Sequence, residues 1–163
     1  MLFYCSTIQT PVALTIQATK ITCSDEAFIK DLEVKIMTDG PKTTLNNKYE
    51  IVKEIPQDAL CAVEFFKKEG NEYKKMPFDL EPDNCCTMVI DTDMYKKFME
   101  NQNVPKSCPV KEGKYNLSNY SMPDDILSED ADRGEFRSVF KMTLPSGRCV
   151  YGQETDWKIA DKQ

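Results

Sequence analysis

Seven cysteines, at positions 5, 23, 61, 85, 86, 108 and 149, constrain the fold of this 163-residue chain more than any other feature. None of them forms a CxxC pair, and the adjacent Cys85 and Cys86 do not have a common zinc-ligand spacing. We therefore expect disulfide bonds rather than a metal centre, and an oxidising compartment in which such bonds persist. Spacing alone does not decide which cysteines pair.

The absence of histidine narrows the possible functions. Histidine is the commonest general base and the usual partner of a serine or cysteine nucleophile, so a hydrolytic triad is not expected. Acidic pairs such as Asp124-Asp125 and Glu129-Asp130 lie in a polar loop without the apolar surroundings that raise the pKa of a carboxyl group. We predict that the protein is not an enzyme, has no catalytic residues, and requires no metal or other cofactor.

The charge of the chain argues against a nucleic-acid partner. The formal net charge is −6, and the basic clusters are short lysine pairs that lie beside acids. Such pairs are interpreted as solvated surface, because nucleic-acid binding needs a continuous basic patch. No apolar stretch approaches the roughly 18 residues of a membrane span, so we do not expect a transmembrane segment.

Alternation of apolar and polar residues predicts β-strands along most of the chain. In GEFRSVFKMTL, Phe136, Phe140 and Met142 share one face, and Glu135 and Lys141 lie on the other. The turn at residues 145–147 leads into RCVYGQETDWKIA, and this pair predicts a hairpin. The other predicted strands are ALTIQATKITC, DLEVKIMT, KYEIVKEI, ALCAVEFFKKE and CCTMVID.

One segment, TDMYKKFMENQ, has the signals of a helix. Thr92 is the predicted N-cap, and Met94, Tyr95, Phe98 and Met99 fall on one side. About seven short strands, one short helix and cross-linking cysteines favour an all-β fold, an immunoglobulin-like β-sandwich of two antiparallel sheets.

The N-terminus and two glycosylation sequons bear on targeting. Residues 1–19 are expected to be an N-terminal extension or a truncated targeting segment plus the start of the first strand, with one domain over residues 20–163. The N-terminal sequence lacks the basic region of a signal peptide and is interrupted by Pro11. The sequons begin at Asn116 and Asn119, and their occupancy would agree with a secreted glycoprotein.

A motif in the C-terminal half consists of CPVKEGKYNL at residues 108–117, Pro123, GEFRSV at residues 134–139 and SGRCV at residues 146–150. This motif resembles that of the ML lipid-recognition family. The pattern is similar to that of the lysosomal ganglioside activator protein and of insect secreted relatives in the family. The match is good over roughly residues 105–152 and loose over residues 20–100. The resemblance implies that residues 20–163 form an ML-type domain whose two sheets separate around an internal lipid cavity.

The resemblance also implies a disulfide framework. Cys23 should pair with Cys149, Cys108 with either Cys85 or Cys86, and Cys61 with the remaining one of those two. Cys5 is left over. Phe78 stands where the family leads us to expect a further cysteine, so the loop there is expected to differ.

Large side chains at the alternate strand positions that point to the interior (inward parity) are the candidates for lining the cavity. Each of them would look the same in an ordinary filled core, so core packing is the alternative for every one. Met and Phe adapt well to flexible chains. The candidates are Val34, Ile36, Ile51, Val63, Phe65, Met88, Ile90, Phe98, Met99, Tyr115, Leu117, Phe136, Phe140, Met142 and Trp157.

The function implied by the resemblance is lipid binding and lipid transport. We expect a secreted or lysosomal protein that carries, extracts or presents a fatty acyl, glycolipid or sterol-like ligand. Its further partners would be a hydrolase or a receptor, with transient contact to a membrane surface. The alternative hypothesis is an extracellular interaction module, an immune co-receptor or signalling factor whose acidic loop at residues 123–132 contacts a protein and which has no obligatory lipid.

Overall fold

The computed structural model describes residues 11–123 and 126–162, so Cys5 and most of the N-terminal segment lie outside the described residues. The described chain contains eight strands and two short helical segments. The strands are β1 (Val12–Ser24), β2 (Ile29–Asp39), β3 (Lys42–Ile51), β4 (Leu60–Glu69), β5 (Glu72–Asn84), β6 (Gly113–Tyr120), β7 (Gly134–Thr143) and β8 (Cys149–Asp161). A π-helix spans Cys86–Ile90, and an α-helix, α1, spans Asp93–Phe98.

The strands form two sheets, and every pairing is antiparallel. The larger sheet has the strand order β1-β8-β7-β4-β5, and the smaller has the order β2-β3-β6. This arrangement confirms the all-β class and the two antiparallel sheets of the predicted sandwich. The sheets differ in width, which leaves part of the larger sheet without a partner layer.

The predicted hairpin of β7 and β8 is present and determines which side chains face the smaller sheet. Phe140 lies opposite Gln153, and Met142 lies opposite Tyr151. The ladder between β4 and β7 places Val63 opposite Phe140. Because directly paired residues point to the same side of a sheet, these five side chains share one face.

The prediction that CCTMVID forms a strand was wrong. Its residues leave the sheet after β5 and form the π-helix. The side-chain oxygen of Asn84 accepts hydrogen bonds from the backbone N–H groups of Cys86 (2.9 Å) and Thr87 (3.3 Å), which turns the chain at the end of the strand. The strand predicted from KYEIVKEI likewise ends at Ile51, since the following residues leave the sheet.

The predicted helix is present, and its start is where the sequence indicates. The hydroxyl of Thr92 accepts a hydrogen bond from the backbone N–H of Tyr95 at 3.2 Å, as an N-cap does. The predicted common face is only partly correct, because Met94 is 60% exposed. Tyr95, a member of the predicted face, does pack against the core, since a helix of six residues can direct only about one turn of side chains inward.

Three disulfide bonds connect these elements. Cys23–Cys149 joins β1 to β8, the pair that the resemblance implies. Cys61–Cys85 joins β4 to the residue that precedes the π-helix, and Cys86–Cys108 joins the π-helix to the loop before β6. The adjacent cysteines thus tie one short segment to two different parts of the fold.

The buried core lies between the sheets and beneath the π-helix. Val150 is fully buried, and Ile51 and Cys61 are nearly so. The cluster consists of Phe28, Ile29, Ile51, Ile55, Ala59, Cys61, Cys85, Ile90, Val110 and Val150. Among the described residues, no helix has the length and apolarity needed to cross a membrane.

Candidate functional site

Side chains from both sheets, the π-helix and α1 surround a cavity of about 220 Å³. It adjoins the buried core and separates part of the two layers. Its lining consists of Ile29, Leu32, Asn47, Tyr49, Ile51, Ile55, Cys61, Cys85, Val89, Ile90, Tyr95, Pro105, Val110, Phe140, Met142, Tyr151 and Gln153.

One part of the lining is wholly apolar. Ile29 and Ile51 come from the paired strands β2 and β3, and Ile55 is bridged to Val110 outside the strands. All four are buried, and the Cys61–Cys85 bridge adds a further apolar surface. A hydrocarbon group placed here would contact apolar side chains in place of water, which is the condition for hydrophobic binding.

Another part of the lining is polar but carries no charge. Five side chains can form hydrogen bonds, namely Asn47, Tyr49, Tyr95, Tyr151 and Gln153, and no Asp, Glu, Lys or Arg is present in the lining. A charged group in this cavity would lose hydration without gaining an opposite charge.

Two of the three lining tyrosines have hydroxyl partners within the chain. The hydroxyl of Tyr95 donates to the backbone oxygen of Pro105 at 2.7 Å, and that of Tyr151 donates to Oε1 of Gln153 at 2.5 Å. Tyr49 stacks on Tyr115, with the ring centroids 5.7 Å apart. These contacts hold the aromatic rings in place around the cavity.

Burial keeps these phenols neutral. It raises the pKa of Tyr95 to about 12 and is the main cause of the raised pKa values of Tyr49 and Tyr151. The neighbouring phenols of Tyr95, Tyr151 and Tyr115 raise the pKa of Tyr49 further, because several phenolates would repel one another at this spacing. At physiological pH the cavity therefore presents uncharged hydroxyl groups.

A polar network borders the cavity along β8. Nε2 of Gln153 donates to the hydroxyl of Thr19 at 2.8 Å, and Thr19 lies 3.3 Å from the hydroxyl of the buried Thr155. Further along, Nε1 of Trp157 donates to Ser138 at 2.9 Å. The inward face of β8 is thus polar at Gln153 and Thr155.

The fifteen predicted lining residues divide into three groups. Ile51, Ile90, Phe140 and Met142 line the cavity. Met88 and Tyr115 pack against the core beside it, and Leu117 is buried. The others do not reach the cavity: Val34, Ile36, Val63, Phe65, Phe98, Met99, Phe136 and Trp157.

None of the five polar lining residues is among the fifteen that the sequence predicted to line the cavity. Tyr49 has the same parity as Ile51 in β3, and Tyr151 has the same parity as Trp157 in β8. Parity would therefore have placed both tyrosines inward. Asn47 and Gln153 also have inward parity, but polar residue types in a strand are ordinarily assigned to the solvent face.

An exposed apolar strip extends from the cavity to the free edge of the larger sheet. The cavity residue Phe140 lies opposite Val63 on β4, and Val63 lies opposite Leu80 on β5. Leu80 is 50% exposed, and the adjacent Phe78, which contacts Phe65 at 5.5 Å between ring centroids, is 55% exposed. The smaller sheet does not cover this end, so large apolar side chains remain in contact with water.

Other surface features do not form a comparable site. A depression of about 690 Å³ on the smaller sheet is open and lined mainly by polar and charged residues such as Asp31, Glu33 and Lys35. It shares Asn47 and Tyr49 with the lining of the cavity. No group of potential metal ligands occurs within residues 11–123 and 126–162. Of the acidic loop at residues 123–132, Asp124 and Asp125 lie outside the described residues, and Asp132 pairs with Lys67 at 3.4 Å.

Comparison with known proteins gives a family match over part of the chain. A family model described as "Protein of unknown function (DUF1091)" matches residues 61–138, which include β4, β5, both helical segments and β6. No curated protein matches the chain significantly.

Two solved structures are similar to the chain at low identity. One is a Niemann-Pick type C2 protein from Japanese carpenter ant, with 9% identity, coverage of 88% of this chain and 89% of that chain, and a TM-score of 0.33. The other is chicken MD-1 complexed with lipid IVa, with 9% identity, coverage of 90% and 99%, and a TM-score of 0.34. At these TM-scores neither likeness bears on the ligand of this chain.

Proposed function

We propose that the protein binds one small hydrophobic molecule, or a single acyl chain, between its two sheets and carries it through an extracellular or lysosomal fluid. The observation that carries this proposal is the uncharged cavity of about 220 Å³ beside the core. A well-packed domain has few voids larger than a water molecule, so a space of this size indicates a binding function.

The size of the cavity favours a slender ligand. Sites for drug-sized molecules usually measure about 300–1,000 Å³. The space here is smaller, so it suits one acyl chain better than the several chains of a glycolipid or the broad ring system of a sterol. Of the ligand classes expected from the sequence, a single chain fits best.

The energy of such binding grows with chain length. Each buried methylene contributes about 0.8 kcal/mol, which corresponds to about a fourfold gain in affinity. Association costs of about 4–15 kcal/mol must first be offset, so short chains should bind weakly. Affinity should rise with each added carbon and stop rising when the cavity is full.

The exposed strip gives the ligand a route into the cavity. Phe78 and Leu80 lie at the free edge of β5, and Val63 connects them to the cavity residue Phe140. A chain could slide along this surface without leaving an apolar environment. The same side chains would make the transient membrane contact that extraction of a lipid requires.

The proposal is tested by comparing binding in two valine variants. Val89 lines the cavity, so Val89→Phe should fill it, whereas Val139→Phe makes the same change on the opposite face of β7, where Val139 lies across from Glu64. Displacement of a fluorescent probe with an uncharged alkyl chain measures affinity, and organic extraction of native protein followed by mass spectrometry identifies the bound lipid. Thermal unfolding confirms that both variants fold.

We expect Val89→Phe to lose probe binding and Val139→Phe to retain it. Equal affinity in the two variants would show that the probe binds elsewhere. Absence of uptake by the folded wild-type protein, together with no extractable lipid, would reject the proposed function.

A secreted or lysosomal location is proposed from the three disulfide bonds and the sequons. The two sequons are not equivalent. Asn116 accepts a hydrogen bond from Asn103 at 3.0 Å and donates to Ser118 at 2.9 Å, whereas Asn119 is exposed near the end of β6. We therefore expect a glycan at Asn119 in preference to Asn116. Mass spectrometry of peptides from protein made in a secreting eukaryotic cell would locate it.

A further inference from the structure

The hydroxyl of Tyr49 differs from those of the other lining tyrosines. Tyr95 and Tyr151 donate to acceptors within the chain. The hydroxyl of Tyr49 has no hydrogen-bond partner among residues 11–123 and 126–162, although its ring is half-buried and lines the cavity. The Tyr49 oxygen is not among the fully buried polar atoms of the described residues, so it stays accessible and can bond to a group placed in the cavity.

Tyr49 occupies the boundary between the apolar and polar parts of the cavity. On β3 it lies between Ile51, which belongs to the apolar part, and Asn47, which belongs to the polar part. Side chains two residues apart on a strand point to the same face, so all three face the cavity. The stacking of Tyr49 on Tyr115 fixes the orientation of its ring. The position of the hydroxyl is therefore fixed, and it cannot move to reach a hydrogen-bond partner elsewhere in the chain.

The polar groups near Tyr49 leave hydrogen-bond donors available. The side-chain oxygen of Asn47 accepts from the backbone N–H of Leu117 at 3.1 Å, and its amide nitrogen has no partner in the described chain. The amide of Gln153 is engaged at both ends, with Tyr151 on its oxygen and Thr19 on its nitrogen. The available donors are thus the O–H of Tyr49 and the N–H groups of Asn47.

A ligand that satisfies these donors must supply an acceptor, and it must do so without a charge. No cationic side chain lines the cavity, so a carboxylate or phosphate would be desolvated without an ion partner. An alcohol, ester, aldehyde or ketone oxygen accepts hydrogen bonds and remains neutral.

We propose that the cavity selects an uncharged amphiphile, whose oxygen accepts hydrogen bonds from Tyr49 and Asn47 while its hydrocarbon chain lies against Ile51, Ile55 and Val110. This inference rests on the proposed function, because it specifies the chemical class of the ligand held in the same cavity. An ionised fatty acid would fit the cavity by size, but we expect the uncharged lining to exclude it.

The test compares ligands of one chain length that differ only in the head. A long-chain alcohol, its methyl ether, the parent alkane and the corresponding carboxylate are titrated into the wild-type protein at neutral pH, with the ligands below their solubility limits. We expect the alcohol to bind about 10-fold or more tightly than the carboxylate, because the charged head has no partner. The carboxylate should gain affinity as the pH is lowered toward its own pKa, where it becomes neutral.

A tyrosine variant identifies the donor. Tyr49→Phe removes one hydrogen bond and should weaken binding of the alcohol about 2- to 12-fold, the range typical of a single hydrogen bond. It should leave alkane affinity unchanged. The matched control is Tyr73→Phe, since Tyr73 lies on β5 with its ring against the guanidinium of Arg137 at 3.9 Å, outside the cavity lining.

The outcomes separate this inference from the proposed function. Equal affinities for alcohol and carboxylate, or equal losses for alcohol and alkane in Tyr49→Phe, would overturn the selection of neutral heads while leaving hydrocarbon binding in place. Failure of all four ligands to bind the folded protein would overturn both. Selective loss of alcohol binding in Tyr49→Phe, with normal binding in Tyr73→Phe, would support the assignment.

Discussion

The Cys23–Cys149 and Cys86–Cys108 bridges allow a quantitative test of how the covalent framework stabilises the sandwich. The first joins residues 126 positions apart and the second joins residues 22 positions apart. All four cysteines are half-buried, so replacing either pair removes a similar amount of packing. The two bridges therefore differ mainly in the length of the loop that each closes in the unfolded chain.

The chain-entropy relation converts these lengths into free energies of unfolding. It gives about 5 kcal/mol for the longer loop and about 3.5 kcal/mol for the shorter one at 25 °C. The double variant Cys23→Ala/Cys149→Ala should thus be less stable than Cys86→Ala/Cys108→Ala by about 1.5 kcal/mol. Since domains of this kind are stable by only about 5–15 kcal/mol, the first variant could lose most of its stability.

Urea unfolding followed by tyrosine and tryptophan fluorescence measures both variants, with linear extrapolation to water. We expect the midpoint of Cys23→Ala/Cys149→Ala to be the lower of the two. If it is unfolded without urea while the other variant is folded, the ranking also holds. Equal stabilities, or a greater loss from the shorter loop, would refute the reasoning and point to native-state contacts as the main contribution of the bridges.

Three further predictions concern the helix, the buried phenols and a close contact in β8. Thr92→Ala should lower the free energy of unfolding by about 1 kcal/mol, because it removes the N-cap of α1, and urea unfolding measures it. Tyr95 should titrate near pH 12, against 10.0 for a free phenol, so the stability that its burial contributes is complete below pH 10 and falls as the pH rises toward 12. Absorbance of tyrosinate checks the pH at which Tyr95 titrates, and unfolding at graded pH checks the loss of stability. Titration of every tyrosine near pH 10 in the folded protein would contradict the prediction. Gly152→Ala should cost about 1–3 kcal/mol, since the added Cβ would collide with Thr22 Oγ1 and lie 2.7 Å from Cys23 Sγ, and thermal unfolding would show the loss.

The sequence predicted the strands well where apolar and polar residues alternate strictly. Phe136, Phe140 and Met142 share a face as expected, and the Thr92 cap is present. The segment after Asn84 was assigned wrongly because a short continuous apolar run has no period that separates a buried strand from a helix. Asn84 itself was the available signal, since its side chain binds the first backbone N–H groups of the turn.

The candidate site was harder to predict than the fold. Parity tells which face of a strand a side chain occupies, but not where along that face the two layers separate. Val63 and Phe140 are directly paired and equally inward by sequence, yet only Phe140 lines the cavity. The difference depends on the width of the smaller sheet, a long-range property of the pairing of β2, β3 and β6.

The central claim is that a hydrocarbon chain lies between the two sheets, and isotope-filtered nuclear Overhauser spectroscopy tests it most directly. Protein with labelled methyl groups is mixed with an equimolar long-chain alcohol, and contacts from the alkyl protons to the protein are recorded. We expect contacts to the methyl groups of Ile51, Ile55, Val110 and Met142. Contacts confined to the exposed side chain of Leu80, with none inside the cavity, would contradict it.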